Sequence, residues 1–382
     1  MSSHLMIAGA GSGKTTYLIQ KALEIKDFSV LITTFTEANE KSIKDAIISK
    51  NGFIPSNITI QTWFSFLLQH GVKPYQSYIY DGNITGLLLV NEKSGVKCIF
   101  KNKKIYYKDS ESGYYISNTG QIFSDKIANF TVKANEKSNG LVLNRIKRIY
   151  PYIFIDEVQD LSGYDLELIR LFENVGCSLL LVGDPRQVTY HTHEEAKNKK
   201  YSDGNIVGYI KDKCNTIQID DTTLNCSYRN PQMLCNLANQ LYPSMKPCES
   251  KSKVGNSEHI GVFLVKSEDV DSYLKKYEPV QLRDSVRKKV NEKYKVMNFG
   301  NSKGLTMNHV LIYPTKPMMD WLKDRNKSLE GKSRSKLYVA ITRAKYSAAF
   351  VVDSNKSIIN DIPFWSNENK IIKELELQLQ IF

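Results

Sequence analysis

Met6-Ile7-Ala8-Gly9-Ala10-Gly11-Ser12-Gly13-Lys14-Thr15-Thr16 is the stretch whose reading decides the fold. A short apolar run, Leu5 to Ile7, enters a loop of small residues, and the helix-like Tyr17-Leu-Ile-Gln-Lys-Ala-Leu follows. Strand, loop and helix in that order are what a phosphate-binding loop requires. Small residues let the backbone amides wrap a polyphosphate, and the helix N-terminus adds partial positive charge. Residues Ala8, Gly9, Ala10, Gly11, Ser12, Gly13 and Thr16 would cradle the phosphates, with Ala8 at a first position often held by glycine. Lys14 would reach the β- and γ-phosphates and the Thr15 hydroxyl would ligate Mg²⁺. A glycine-rich turn before an ordinary helix is the alternative, and Gly13-Lys14-Thr15 at a strand-to-helix junction disfavours it. The chain is expected to bind a nucleoside triphosphate.

With 382 residues, 41% hydrophobic and 24% charged, the chain is long enough for two or three domains with real cores. No apolar run reaches membrane-spanning length, and no signal-peptide pattern precedes the loop. The six cysteines show neither a CxxC pair nor zinc spacing, so they are expected to be buried thiols of a reducing cytosol. His191 and His193 fit a loop better than a metal site. A net charge of +12 suits a polyanionic partner, although general lysine richness accounts for it equally well.

Along the chain, Val30-Leu-Ile-Thr-Thr and Ile58-Thr-Ile-Gln-Thr are strand-like and each enters a helix start. That alternation implies a parallel sheet with helices on both faces. From about Val72 to Arg145, tyrosines, lysines and short alternating stretches interrupt the rhythm, as an inserted subdomain with hairpins would. The rhythm resumes at Tyr152, and a second α/β domain is expected from Leu224.

Ile153-Phe-Ile-Asp-Glu is an apolar strand ending in two carboxylates, placed where a parallel sheet presents its C-terminal edge. Asp156 would hold Mg²⁺ and Glu157 would polarise the attacking water. Val182-Gly-Asp-Pro-Arg-Gln ends a further strand, and Gln187 is suited to sense a γ-phosphate. Tyr190 beyond it offers a ring for stacking on a nucleobase, with core packing as its competitor. Arg229 and Arg343 stand at motif-like positions from which guanidinium groups could meet the charge that develops on the transferring phosphate.

Taken together, AGAGSGKTT, TTFTEAN, ITIQTWFSF, FIDEVQD, VGDPRQVTY, LNCSYRN, NFGNSKGLT and YVAITRAK resemble the motif series of superfamily 1 helicases of the UvrD/Rep/PcrA type. The resemblance covers nearly the whole chain outside the insert. It implies an α/β fold of two RecA-like parallel-sheet domains, with ATP in the cleft between them and DNA across the top. The domain division it suggests is 1–71 and 146–223 for the first domain, 72–145 for an inserted 1B-type subdomain, and 224–382 for the second. Asp156, Glu157, Gln159 and Asp160 resemble the signature of the 3′→5′ branch. By the same resemblance Phe35, Thr36, Thr62, Trp63, Phe64, Ser302 and Lys303 fall in DNA-contacting motifs. Gly304 falls, by that resemblance, in the motif that links nucleotide and DNA, and Tyr228 precedes Arg229 as the family's adenine-side aromatic does.

Three departures stand out. No glutamine motif precedes the loop, Thr306 stands where the family has an acid, and the stretch from Arg229 to Lys303 is too short for a large 2B subdomain. The resulting expectation is a cytoplasmic, ATP- and Mg²⁺-dependent single-stranded DNA translocase or helicase, working on single strands or junctions and 3′→5′. The alternative is an ATP-gated DNA-binding or sensor subunit of a repair or phage-defence complex with a nuclease partner. A small-molecule kinase would not need the Arg343 or Gln187 motifs.

Overall fold

The computed structural model describes residues 2–188, 197–202, 204–253, 258–353, 359 and 361–366. It divides into two compact units, one made of residues 1–8, 13–185 and 190–224 and the other of 9–12, 186–189 and 225–382.

The first unit begins with β1 (His4–Ile7), α1 (Lys14–Glu24), β2 (Val30–Thr34), α2 (Glu37–Asn51), β3 (Ile58–Thr62) and the single turn α3 (Trp63–Phe66). The insert adds β4 (Gly86–Leu88), β5 (Val96–Phe100), β6 (Lys103–Tyr106), β7 (Gln121–Phe123), α4 (Ile127–Lys137) and α5 (Leu141–Ile149). Then come β8 (Tyr152–Asp156), α6 (Gly163–Asn174), β9 (Ser178–Gly183), α7 (Ile206–Lys213) and β10 (Gln218–Asp220). The main sheet has strand order β10-β1-β9-β8-β2-β3, with every pair parallel. Continuous apolar runs build its middle, because a central parallel strand is covered on both faces. All five residues of β2 and the last five of β9 are buried. Met6, Val182 and Asp156 are register partners across β1, β9 and β8. The phosphate loop and the carboxylates therefore leave the same sheet edge side by side.

The insert is mixed rather than all hairpin. β4 and β7 pair in parallel, while β5 and β6 form an antiparallel hairpin turned by Lys101 and Asn102, whose φ angles are 48° and 62°. Ile99, Phe100 and Ile105 on that hairpin are exposed. So is Cys98, which corrects the expectation of uniformly buried thiols; Cys214 and Cys226 are half-buried, and only Cys177, Cys235 and Cys248 are buried.

The second unit comprises β11 (Cys226–Ser227), α8 (Gln232–Gln240), β12 (Glu249–Ser250), β13 (Gly261–Lys266), α9 (Val270–Tyr277), β14 (Val280–Arg283), β15 (Val296–Asn298), β16 (Met307–Ile312), α10 (Lys316–Lys323), α11 (Gly331–Thr342) and β17 (Ala344–Val352). Its sheet runs β13-β17-β16-β14-β15, again all parallel. The stretch between Arg229 and Lys303 is thus spent on this sheet and its helices. Leu264, Leu282, Val310, Ile312, Ala348 and Phe350 form its core with Leu234, Trp321 and Leu337 from the helices. No helix among the described residues is long and apolar enough to cross a membrane.

Candidate functional site

In the first unit, Gly13 caps α1 with φ 81°, a left-handed conformation that favours glycine and turns the chain abruptly from loop into helix. The turn puts Lys14 and Thr15 at the start of α1, opposite the end of β8. Lys14 Nζ lies 3.6 Å from Glu157 Oε1, and the Thr15 hydroxyl donates to Asp156 Oδ2 at 3.3 Å. Glu157 N–H donates to Asp156 Oδ1 at 2.9 Å. Burial, reinforced by the neighbouring Glu157 charge, pushes the Asp156 carboxyl up to about 6, with Lys14 opposing the shift. Two adjoining carboxylates beside one lysine leave negative charge that a divalent cation would offset. The donors there, a hydroxyl and a carboxylate, are the hard oxygen ligands that Mg²⁺ takes. The residues fit a magnesium–polyphosphate group.

A residue pattern without an assigned role lies just behind. Gln159, 2% exposed, donates from Nε2 to Glu157 Oε2 and accepts at Oε1 from the Asp184 N–H at 3.1 Å. Glu157 itself has φ 55°.

In the second unit, Arg343 is 2% exposed at the end of α11; it donates to Gln187 Oε1 at 3.1 Å and to the Leu305 carbonyl at 3.2 Å. Arg229 is half-buried and donates to the Thr342 carbonyl at 3.2 Å. Asn230, fully enclosed, donates to the carbonyls of Thr342 (3.1 Å) and Ala344 (2.7 Å), fastening the main chain on either side of Arg343. Arg186 is buried with its guanidinium over the Tyr338 ring. The Tyr228 ring is exposed, and its N–H donates to the Gly11 carbonyl at 2.9 Å. Gly304 adopts φ 83° and is exposed, Lys303 is half-buried, and Ser302 is buried with its hydroxyl donating to the Phe299 carbonyl at 2.7 Å.

Of the aromatic candidates, Phe35 and Phe64 are half-buried and meet edge to face, centroids 5.3 Å apart, where β2 and β3 end. Thr36 and Thr62 cap α2 and α3, accepting from Asn39 N and Ser65 N. Trp63, expected in a DNA-contacting motif, is 1% exposed, packs on Phe66 and donates its indole N–H to Asp165 Oδ1 at 2.7 Å, so its ring is enclosed in the core rather than open to a base. Tyr190, His191 and His193 lie outside the described residues.

A family model described as an AAA domain matches residues 2–193. A second, described as the viral superfamily 1 RNA helicase core domain, matches residues 126–352. The chain belongs to the superfamily 1 helicases. Among the family's curated members it is 26% identical over 312 residues to a probable DNA helicase II homolog of Mycoplasma capricolum, covering 66% of this chain and 40% of that protein. It is 27% identical over 198 residues to the RecBCD enzyme subunit RecB of Borreliella burgdorferi, covering 50% of this chain and 16% of that one. The chain therefore spans less than half the length of these relatives. Among solved structures, the complex of Arterivirus nonstructural protein 10 (helicase) with DNA is similar at TM-score 0.44 and 14% identity, covering 92% of this chain and 60% of that chain.

Within this superfamily 1 helicase, Gln159 and Asn230 were visible in the quoted motifs, but nothing in spacing alone shows what they hold. Gln159 joins its near neighbour Glu157 to the distant Asp184, and Asn230 joins Ser227 to the distant carbonyls of Thr342 and Ala344.

Proposed function

We propose that the chain is an ATP-dependent translocase on single-stranded DNA, working in the cytosol, moving 3′→5′ and acting on single strands or their junctions with duplex. One observation carries the proposal. The C-terminal edge of the first unit's sheet bears both Lys14 and Thr15 facing Asp156 and Glu157, and the partly open pair Phe35 and Phe64. A nucleotide site and a surface suited to bases would then share one sheet edge. Thr15 and Asp156 would hold Mg²⁺, which supplies charge neutralisation on the phosphates when bound. Lys14 and the loop amides would orient the triphosphate, and Glu157 would take a proton from the attacking water. Gln187 and Arg343 would act as a pair on the γ-phosphate, Arg229 beside them, and Tyr228 would cover the adenine.

A second reading, an ATP-gated subunit of a repair or defence assembly with a nuclease partner, draws on the name of RecB as an enzyme subunit and on the exposed Ile99, Phe100 and Ile105 of the insert hairpin. Streptavidin displacement separates the two. A 3′→5′ translocase with ATP clears streptavidin from the 5′ end of an oligonucleotide and not from the 3′ end. A gated binder clears neither end, and clearance from the 3′ end reverses the direction.

A further inference from the structure

We propose that Gln159 is the positioning residue of Glu157, locking its carboxylate to the main chain at the end of β9. The proposal rests on Glu157 being the group that activates water. In the motif series Gln159 marks only the branch; its two bonds give it a further role.

Glu157 has φ 55°, a sparsely populated conformation for a residue with a side chain, so the surrounding bonds must hold it. Its Oε1 faces Lys14 at 3.6 Å and its Oε2 accepts from Gln159 Nε2. Gln159 is 2% exposed, which leaves water little access to its amide. The amide is also oriented in one sense only. Its oxygen accepts the Asp184 N–H at 3.1 Å, and turning it over would set oxygen against carboxylate and NH₂ against N–H. The result is a two-bond strut from Glu157 to the backbone of Asp184. From Asp184 the chain runs through Pro185 and Arg186 to Gln187, the residue proposed to meet the γ-phosphate.

Gly183 supplies the clearance. A Cβ there would fall within contact distance of Gln159 Oε1 and 2.9 Å from Val158 Cγ1. Any side chain at 183 would displace the amide that holds Glu157. Gly183 is a strand residue whose φ is not in the left-handed region, so its lack of a side chain is explained by this approach rather than by backbone freedom.

The test compares Gln159→Met, which keeps the length and removes both bonds, with Gln159→Glu, which keeps an acceptor for Asp184 N–H and loses the donor to Glu157. ATP turnover at saturating DNA, affinity for a fluorescent ATP analogue and melting temperature are measured for each, and for Gly183→Ala. The expected result is a fall in kcat of about 10- to 100-fold in all three, a part of what a general base contributes. Nucleotide affinity should stay within about twofold of wild type, and Gln159→Met with Gly183→Ala should be little worse than either alone. Either of two results overturns the proposal: wild-type kcat in a folded Gln159→Met or Gln159→Glu, or a loss of kcat matched by an equal loss of nucleotide affinity. Glu157→Gln is the control. If it turns over normally, the reading of Glu157 fails; if it is inactive while the Gln159 variants are not, only the strut fails.

Discussion

Lys14 and Glu157 face each other with 3.6 Å between Nζ and Oε1, the lysine of the phosphate loop against the carboxylate at the end of β8. A bound triphosphate would compete with Glu157 for that ammonium. The two ends of the pair therefore have opposite effects on binding. Lys14→Ala is expected to weaken nucleotide binding and abolish hydrolysis. Glu157→Gln is expected to bind ATP at least as tightly as wild type while turnover falls about 10²- to 10⁴-fold. Equilibrium binding of a fluorescent ATP analogue, set beside steady-state turnover, checks both.

Arg343 and Gln187 form one unit through their 3.1 Å hydrogen bond. Alanine at either position should lower kcat much more than it raises KM, because the charge they would meet develops in the transition state. The double variant should be less than additive by about 0.5–3 kcal/mol, as coupled neighbours are. Strict additivity in that cycle would show that the two act separately.

DNA binding should follow the half-open rings and not the buried one. Phe64→Ala is expected to weaken single-strand affinity by the equivalent of about 1–3 kcal/mol without altering the salt slope. Lys303→Ala should reduce that slope by about 0.7. Trp63→Phe removes the indole donor to Asp165 and should appear in the melting temperature, at about 1–3 kcal/mol, with DNA affinity little changed. Salt titrations by fluorescence anisotropy, with thermal melts alongside, distinguish these outcomes.

Two buried histidines make stability depend on pH. Burial holds His70 down to about 4, helped by Arg145, whose guanidinium lies 3.2 Å from its Nδ1. His259 is held to about 4 by burial, then by His309 and Lys276, with its ring stacked between Phe263 and Tyr277. In the unfolded chain both would titrate near 6.5. Between about 6.5 and 4 the unfolded state binds more protons, so stability rises with pH across that window and is lost as pH falls through it. Urea unfolding at pH 7.5 and pH 5 should show a loss of about 1–3 kcal/mol per histidine. His259→Phe should reduce the dependence in the second unit, where burial also holds His309 below its ordinary value, and equal stability at both pH values would contradict the assignment.

Much of the scaffold was legible in the sequence because apolar runs and glycine-lysine punctuation report directly on buried parallel strands and the turn after β1. Asp156 could be placed at a strand end from four preceding residues alone. Trp63 was not legible: an aromatic beside a helix start serves equally as platform or core, and only its distant partner, Asp165, decides. The parallel pairing of β4 with β7 was hidden for a similar reason, since three-residue strands carry too little pattern to show their partner. Gln159 and Asn230 illustrate the same limit, since the partners that fix each amide from afar, Asp184 for Gln159 and Thr342 and Ala344 for Asn230, lie well along the chain.

The most direct test of the whole account is the ATPase rate of the purified chain with Mg²⁺, measured across a titration of single-stranded DNA. A low basal rate should climb and saturate with DNA, with Glu157→Gln flat throughout. Hydrolysis indifferent to DNA, by a chain that also fails to bind it, would contradict the proposed translocase and leave a nucleotide hydrolase alone.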